Sequence, residues 1–252
     1  MLIYIEGNIG SGKSTFNTLL KEYLSKFESL ELDARVILEP VDEWLETKDS
    51  DGKHILEKFY GDQEKWAFAF QMNSFISRVH KIQQELNKED NKIIDTNMIP
   101  KDSRLIESYL HQHETSIMEK CLFVERSIYT DRHCFAKLCY ENKKMTKIEY
   151  DIYCKWNDWL SDEFEIEPDA YIYLRCLPNV NSERIEKRNR DGEEGIPIEY
   201  LEALHQKHEE WIKENTENQI PVFTVDVTEN IKDPKIMNDI VEKLFEFVKK
   251  IM

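Results

Sequence analysis

The chain is short of several things at once. Seven glycines and seven prolines in 252 residues leave no Gly-, Ser- or Pro-rich stretch. No internal repeat or biased segment is present either, so no linker divides the sequence and 1–252 reads as one domain. Five cysteines (Cys121, Cys134, Cys139, Cys154, Cys176) form no C-x-x-C pair and are odd in number. That argues against a disulfide framework or a zinc ribbon and for free thiols in a reducing, cytoplasmic compartment. No apolar run approaches the ~20 residues of a membrane span. The first strand-like run, at 2–6, leaves no room for a leader or transit peptide, so the expectation is a protein neither secreted nor membrane-bound. Positive charge is in deficit: 34 Lys and Arg against 50 Asp and Glu give −16. Such a surface repels polyanions, which argues against DNA or RNA as a polymeric partner. A small nucleotide needs only a local basic cluster.

The most telling residues are concentrated at the start. Residues 3–15 read Ile-Tyr-Ile-Glu-Gly-Asn-Ile-Gly-Ser-Gly-Lys-Ser-Thr, a short apolar strand running into a complete phosphate-binding loop. The pattern G-x-x-x-x-G-K-[ST] is filled by Gly7, Gly12, Lys13 and Ser14, with Asn8, Ile9, Gly10, Ser11 and Thr15 completing the loop at 7–15. Glycines let successive N–H groups turn toward one phosphate chain. Lys13 can reach the β- and γ-phosphates, and the Ser14 hydroxyl can ligate Mg²⁺. The amphipathic run after the loop (Phe16, Leu19, Leu20, Tyr23, Leu24, Phe27) adds a helix N-terminus, favourable to anions. A nucleoside triphosphate is the implied ligand.

Further strand-like runs lie at 34–38, 121–125, 169–175 and 221–227. Amphipathic stretches fill 13–28, 62–88, 103–119, 127–141, 146–163, 179–189, 199–215 and 233–251. Strands alternating with helices predict an α/β fold with a parallel sheet covered on both faces. Ligands of such sheets bind beyond the carboxyl ends of the strands, so the residues just past each strand are informative. After the second comes Glu39-Pro40, a carboxylate beside the phosphate loop, placed to act as a general base. A solvated glutamate would look the same in isolation. After the third comes Glu125-Arg126-Ser127-Ile128-Tyr129-Thr130-Asp131-Arg132, a charged run where a buried strand ends. After the fourth, Arg184, Lys187, Arg188 and Arg190 crowd one stretch ahead of Asp-Gly-Glu-Glu-Gly, a candidate mobile phosphate clamp. Gln71, interrupting the aromatic stripe Trp66, Phe68 and Phe70, offers a bidentate amide that suits a nucleobase edge.

Together these pieces resemble the deoxynucleoside kinase family, essentially end to end. The carrying motifs are G-N-I-G-S-G-K-S-T-F at 7–16, E-P-V-x-x-W at 39–44, L-x-x-F-Y at 56–60 and W-x-F-x-F-Q at 66–71. They continue with S-R at 77–78, E-R-S-x-Y-x-D-R at 125–132, R-x-x-x-R-x-R at 184–190 and G-I-P-x-E-Y-L-E-x-L-H at 195–205. The resemblance implies a P-loop kinase three-layer fold, with a five-stranded parallel sheet in the order 2-3-1-4-5 and a lid at about 184–196. It implies transfer of the γ-phosphoryl of ATP, with Mg²⁺, to the 5′-hydroxyl of a deoxynucleoside in nucleotide salvage. Glu39 would take the hydroxyl proton, with Arg126 orienting both. Ser14 and Glu125 would serve the metal, and Lys13, Arg184, Arg188 and Arg190 the phosphates. Tyr60 and Glu193 would bind the 3′-hydroxyl, with the neighbouring Glu194 as the other candidate. Gln71 would pair with a base lying among Phe70, Phe135 and Trp44, with Leu56, Phe59 and Ser74 also in the pocket. The segment Asp226–Asp233, including Glu229, Asn230 and Ile231, resembles the loop that holds the donor base. Arg78 and Asp131 match an Arg–Asp pair of the cytidine- and purine-type members, which predicts deoxycytidine, deoxyadenosine or deoxyguanosine over thymidine. The stretch 89–120 would contribute to a homodimer interface.

Other readings are weaker. A GTP-binding switch would need D-x-x-G and N-K-x-D after strands; Asp49–Gly52 and Asn87–Asp90 have those letters in polar context. A thymidylate-type kinase would need basic groups near 39–45 for the acceptor phosphate, where Asp42 and Glu43 stand. His205 and His208, beside Glu209, lack a further metal ligand and read as helix-surface histidines, and His111 and His113 are assigned no role.

Overall fold

The computed structural model describes residues 1–88, 119–193, 195–228 and 231–252. Five strands, β1 (Leu2–Glu6), β2 (Leu32–Ile37), β3 (Glu119–Glu125), β4 (Ala170–Arg175) and β5 (Val222–Asp226), form one parallel sheet in the order β2-β3-β1-β4-β5. β1 is central, with Leu2 opposite Leu122 on one side and Ile3 opposite Ala170 on the other. The expected order 2-3-1-4-5 is the observed one.

Side-chain alternation divides the core into two layers. Tyr4, Leu122, Val124, Tyr171 and Tyr173 face one way. They pack on α3 (Ile55–Gly61), α4 (Gln63–Leu86), α6 (Lys147–Phe164) and α8 (Ile198–Glu217) through residues such as Phe59, Phe75, Tyr153 and Trp211. Ile3, Ile5, Phe123, Ile172 and Leu174 face the other way. There they meet Phe16 and Leu20 of α1 (Lys13–Lys21), and Met237, Val241 and Leu244 of α9 (Pro234–Ile251). Buried on both faces, β1 and β4 are almost wholly apolar, as parallel strands require.

Several elements differ from the pattern read in the sequence. The run 13–28 is not one helix: α1 ends at Lys21 and is succeeded by a 3₁₀ stretch, Leu24–Leu30. β2 begins at Leu32, two residues early, because an edge strand tolerates the polar Asp33 and Arg35. Two short helices, α2 (Val41–Glu46) and α3, escaped notice because a turn or two shows no periodicity. The stretch 127–141, here α5, is α-helical at Ile128–Thr130 and Lys137–Glu141 but π-helical at Asp131–Ala136. The expected helix at 103–119 and the dimer-forming stretch 89–120 lie almost entirely outside the described residues. Among those residues no helix is long and apolar enough to cross a membrane.

Candidate active site

The carboxyl ends of β1, β2, β3 and β4 open on a cavity of about 480 Å³. Its floor is the phosphate loop. Gly10 sits at φ +75, and a Cβ there would stand 2.6 Å from the Asn181 carbonyl, so only glycine lets the loop press against α7 (Pro178–Arg188). Gly12 caps α1 in the left-handed region and supplies no side-chain acceptor, which leaves the first helical N–H groups for an anion. Lys13 Nζ donates to the carbonyls of Gly7 and Asn8 at 3.0 and 2.9 Å. Burial, aided by the Arg126 charge, pulls its pKa down to about 7 despite three nearby carboxylates. Gly7, Asn8 and Ser11 do not line the cavity themselves. They brace it: Asn8 Nδ2 donates to Leu201 O at 2.8 Å, and the Ser11 carbonyl accepts from Arg184.

Two oxygen ligands meet at one edge of the loop. Ser14 Oγ donates to Glu125 Oε1 at 2.9 Å, while the other Glu125 oxygen accepts the Glu39 amide at 3.4 Å. A hydroxyl and a carboxylate beside a phosphate loop are the sparse, hard set that suits Mg²⁺, whose remaining positions go to phosphates and water. Among the described residues no cluster of three or more His, Cys, Asp or Glu could hold a metal without such help.

Glu39 lies between two arginines. Arg78 donates to it through Nη2, and Arg126 through Nε at 3.2 Å, both to Oε1. Burial pushes the Glu39 carboxyl up, but Arg78, Arg126 and Lys13 outweigh it and hold the pKa near 2. Arg78 also pairs with Asp131, so one guanidinium joins carboxylates from the end of β2 and the start of the π-helical turn. Asp131 has the poorer share. Burial, with the negative charges of Glu39 and Glu6, lifts it to about 6 against the pull of Arg78. The Arg78–Asp131 pair expected from sequence is present; the bond from Arg78 to Glu39 was not foreseen.

Beyond the carboxylates the wall is aromatic. Trp44 meets Phe70 edge-on at 5.6 Å, Phe70 stacks on Phe59 at 4.5 Å, and Phe135 lies under Arg126 at 4.4 Å. Trp44 Nε1 donates to Ser77 Oγ at 2.9 Å, fixing the indole while Arg78 covers its face. Leu56, Tyr60, Ser74 and Gln71 complete this compartment. Gln71 is buried and its Oε1 has no partner among the described residues, so a ligand edge can use it.

The far wall comes from α7 and the loop after it. Arg184 donates to Val227 O at 2.7 Å and to Ser11 O, tying α7 to β5 and the phosphate loop. Arg188 and Arg190 both pair with the buried Glu193. The Tyr60 hydroxyl is raised well above its usual pKa by burial and by the nearby Glu193. Lys187, expected in the phosphate clamp, lines the cavity, and so do Tyr200 and Lys232, which were given no role of their own. Both had a signal: Tyr200 stands inside the Gly195–His205 motif, and Lys232 inside the Asp226–Asp233 segment. Ile231 lines the cavity as expected, whereas Glu229, Asn230 and Glu194 lie outside the described residues.

One assignment is corrected. His208 is not on a helix surface: it is fully buried, edge-on to Phe135 and parallel to Tyr173, and bonded to Leu204 O. Spacing alone placed it beside the exposed residues of α8, but the helix turns that position toward the sheet.

A phosphate loop, a metal-suited oxygen pair and a lid of arginines face an aromatic acceptor pocket across one ionised carboxylate. That combination defines a P-loop kinase. Residues 3–249 match the Deoxynucleoside kinase family. The chain is 35% identical over 267 residues to the deoxycytidine kinase of Mus musculus, covering 98% of this chain and 90% of the relative. Identity to the Homo sapiens deoxycytidine kinase is 34% with the same coverage. Identity to the mitochondrial deoxyguanosine kinase of Xenopus laevis is 30%, covering 93% and 84%. The chain belongs to the deoxynucleoside kinase family and is a phosphotransferase.

Proposed function

We propose that the protein transfers the γ-phosphoryl group of ATP to the 5′-hydroxyl of deoxycytidine, deoxyadenosine or deoxyguanosine, in preference to thymidine, for nucleotide salvage. The observation that carries this reading is the buried Glu39–Arg78–Asp131 network at the meeting of the two compartments. The Arg78–Asp131 pair fills the side of the pocket that a thymine methyl would need and presents donors and acceptors to an amino-bearing base.

Glu39 accepts the 5′-hydroxyl proton, with Arg126 orienting the group. A carboxylate held near pKa 2 is a weak base, which suits a loose phosphoryl transfer in which positioning and charge neutralisation dominate. Lys13, Arg184, Arg188 and Arg190 neutralise the phosphates, and the closed lid excludes water that would hydrolyse the donor. Ser14 and Glu125 would hold Mg²⁺, which would supply charge neutralisation to the donor phosphates. Tyr60 and Glu193 take the 3′-hydroxyl, and stacking on the aromatics contributes roughly 1–3 kcal/mol with little regard to base. Residues from Ile9 to Lys232 line one cavity, which supports reading 1–252 as a single catalytic domain.

We also propose a homodimer in a reducing cytoplasm. Ile148, Ile152, Trp156 and Trp159 form an exposed apolar stripe along α6, at 73%, 39%, 44% and 52% exposure, which supports a second copy as its cover. Five unpaired cysteines, four of them buried, support the compartment.

The test is Mg-ATP turnover of dC, dA, dG, dT and dTMP, wild type beside Glu39→Gln. Monophosphate product from dC, dA or dG is expected, with kcat lowered roughly 10²–10⁴-fold in the variant. Thymidine as the best substrate by kcat/KM would overturn the preference, and turnover of dTMP alone would overturn the acceptor.

A further inference from the structure

Glu6, the last residue of β1, is fully buried and plays no part in the transfer and binding steps proposed for the site. Its Oε1 accepts the Ser127 amide at 2.8 Å, and its Oε2 has no partner among the described residues. The location explains why a carboxylate is there. β1 and β3 run in register up to Ile5 and Glu125, and the Arg126 amide still donates to Ile5 O at 3.0 Å. One residue further, β1 turns away into the phosphate loop. In a parallel sheet alternate amides face opposite neighbours, so a continuing β3 would aim the Ser127 amide away from β1, toward β2. The left-handed reversal at Arg126 brings it round to β1 instead, where the Glu6 carboxylate accepts it.

This bond holds Arg126 in place. Arg126 sits at φ +65, a left-handed conformation that non-glycine residues keep only when their surroundings enforce it. It is clamped on both sides. Its own amide is tied to Ile5, and the following amide is tied to Glu6, while Ser127 Oγ accepts the Thr130 amide at 3.1 Å to start α5. The reversal at this residue turns the Arg126 side chain back over Phe135, with Nε on Glu39.

We infer that Glu6 is a positioning residue for the transfer reaction: its hydrogen bond to the Ser127 amide fixes the strained turn that aims Arg126 at Glu39. The inference rests on the proposed role of Arg126 in orienting the reacting hydroxyl. Glu6 touches neither substrate nor donor, and it acts through the backbone of a neighbouring strand.

The experiment is a double-mutant cycle on the full chain, with kcat and the deoxynucleoside KM measured for Glu6→Met, Arg126→Ala and both together. Thermal midpoints and a Glu6→Gln control accompany it. Gln keeps an acceptor oxygen at the same reach and is expected to retain most of the wild-type kcat. Met removes the acceptor and is expected to lower kcat roughly 10²-fold, as a misplacement of about 1 Å can, with the deoxynucleoside KM little changed. In the Arg126→Ala background, Glu6→Met is expected to cause no further loss. If Glu6→Met fails to fold, Glu6→Asp, which withdraws the oxygen by one methylene, takes its place in the cycle. The same fold loss in both backgrounds, or an unchanged kcat in Glu6→Met, overturns the role of Glu6 alone. An unchanged kcat in Arg126→Ala overturns the reading of Arg126, and the inference with it.

Discussion

Among single residues, Lys13 carries the most direct pH consequence. Its ammonium has a pKa of about 7 in the free protein, chiefly because it is buried. Above that pH it is mostly neutral, and an anionic phosphate chain arriving beside it favours the charged form. Nucleotide binding at pH 8 is therefore expected to take up a proton, and binding at pH 6 to take up almost none. Calorimetry in buffers of different ionisation enthalpy measures this, and equal uptake at both pH values would contradict it. Glu39 lies at the other extreme: at about 2 it is ionised across the working range, so no acidic limb near neutrality belongs to it. Much at this scale was legible in advance. The spacing of Gly7, Gly12, Lys13 and Ser14 states its own chemistry, and the Arg78–Asp131 pair was expected and is present. The second bond of Arg78, to Glu39, was not legible: it joins the end of β2 to the middle of α4, and nothing in either segment announces the other.

Between elements, close contacts pin the loop that follows α7. Gly192, at φ +83, lies against the start of α3, where a Cβ would come within 3.0 Å of Glu57 Cα and 3.1 Å of its amide. His54 caps that helix through Nδ1 and stands equally close. Gly192→Ala adds strain of about 1–3 kcal/mol and shifts the adjoining Glu193, which gathers Arg188 and Arg190. The expected result is a loss of at least about fivefold in kcat/KM for the deoxynucleoside, as even ~1 kcal/mol implies. The same strain is expected to lower the thermal midpoint by roughly 2–4 °C per kcal/mol. Wild-type kinetics in that variant would mean the lid does not seat on α3. Element boundaries were less readable than residues. The π-helical turn at Asp131–Ala136 depends on how α5 packs against its neighbours, and periodicity registers only an amphipathic stretch there. That turn carries both Asp131 and Phe135 into the cavity wall.

For the molecule as a whole, the sheet order came from the family resemblance. The stretch 89–120, expected to contribute to a dimer interface, lies almost entirely outside the described residues; the exposed stripe that supports the proposed dimer is on α6, where helical spacing hides it among charged neighbours. Trp159→Glu places a charge in the stripe and is expected to shift the protein from dimer to monomer in sedimentation velocity, with the fold intact by circular dichroism. A wild-type monomer at micromolar concentration would remove the proposal. The central position of β1 has a separate consequence, for the order of events during synthesis. β1 pairs with β3 and β4, so its partners Leu122 and Ala170 emerge from the ribosome long after it does. Until residue 175 is free, the strand that leads into the phosphate loop has at most one neighbour. Distant pairings of this kind slow folding and leave apolar strands waiting unpaired. The catalytic loop, among the first parts made, is thus among the last to acquire its shape, and a nascent chain of this kinase cannot bind its donor until the sheet has closed around β1.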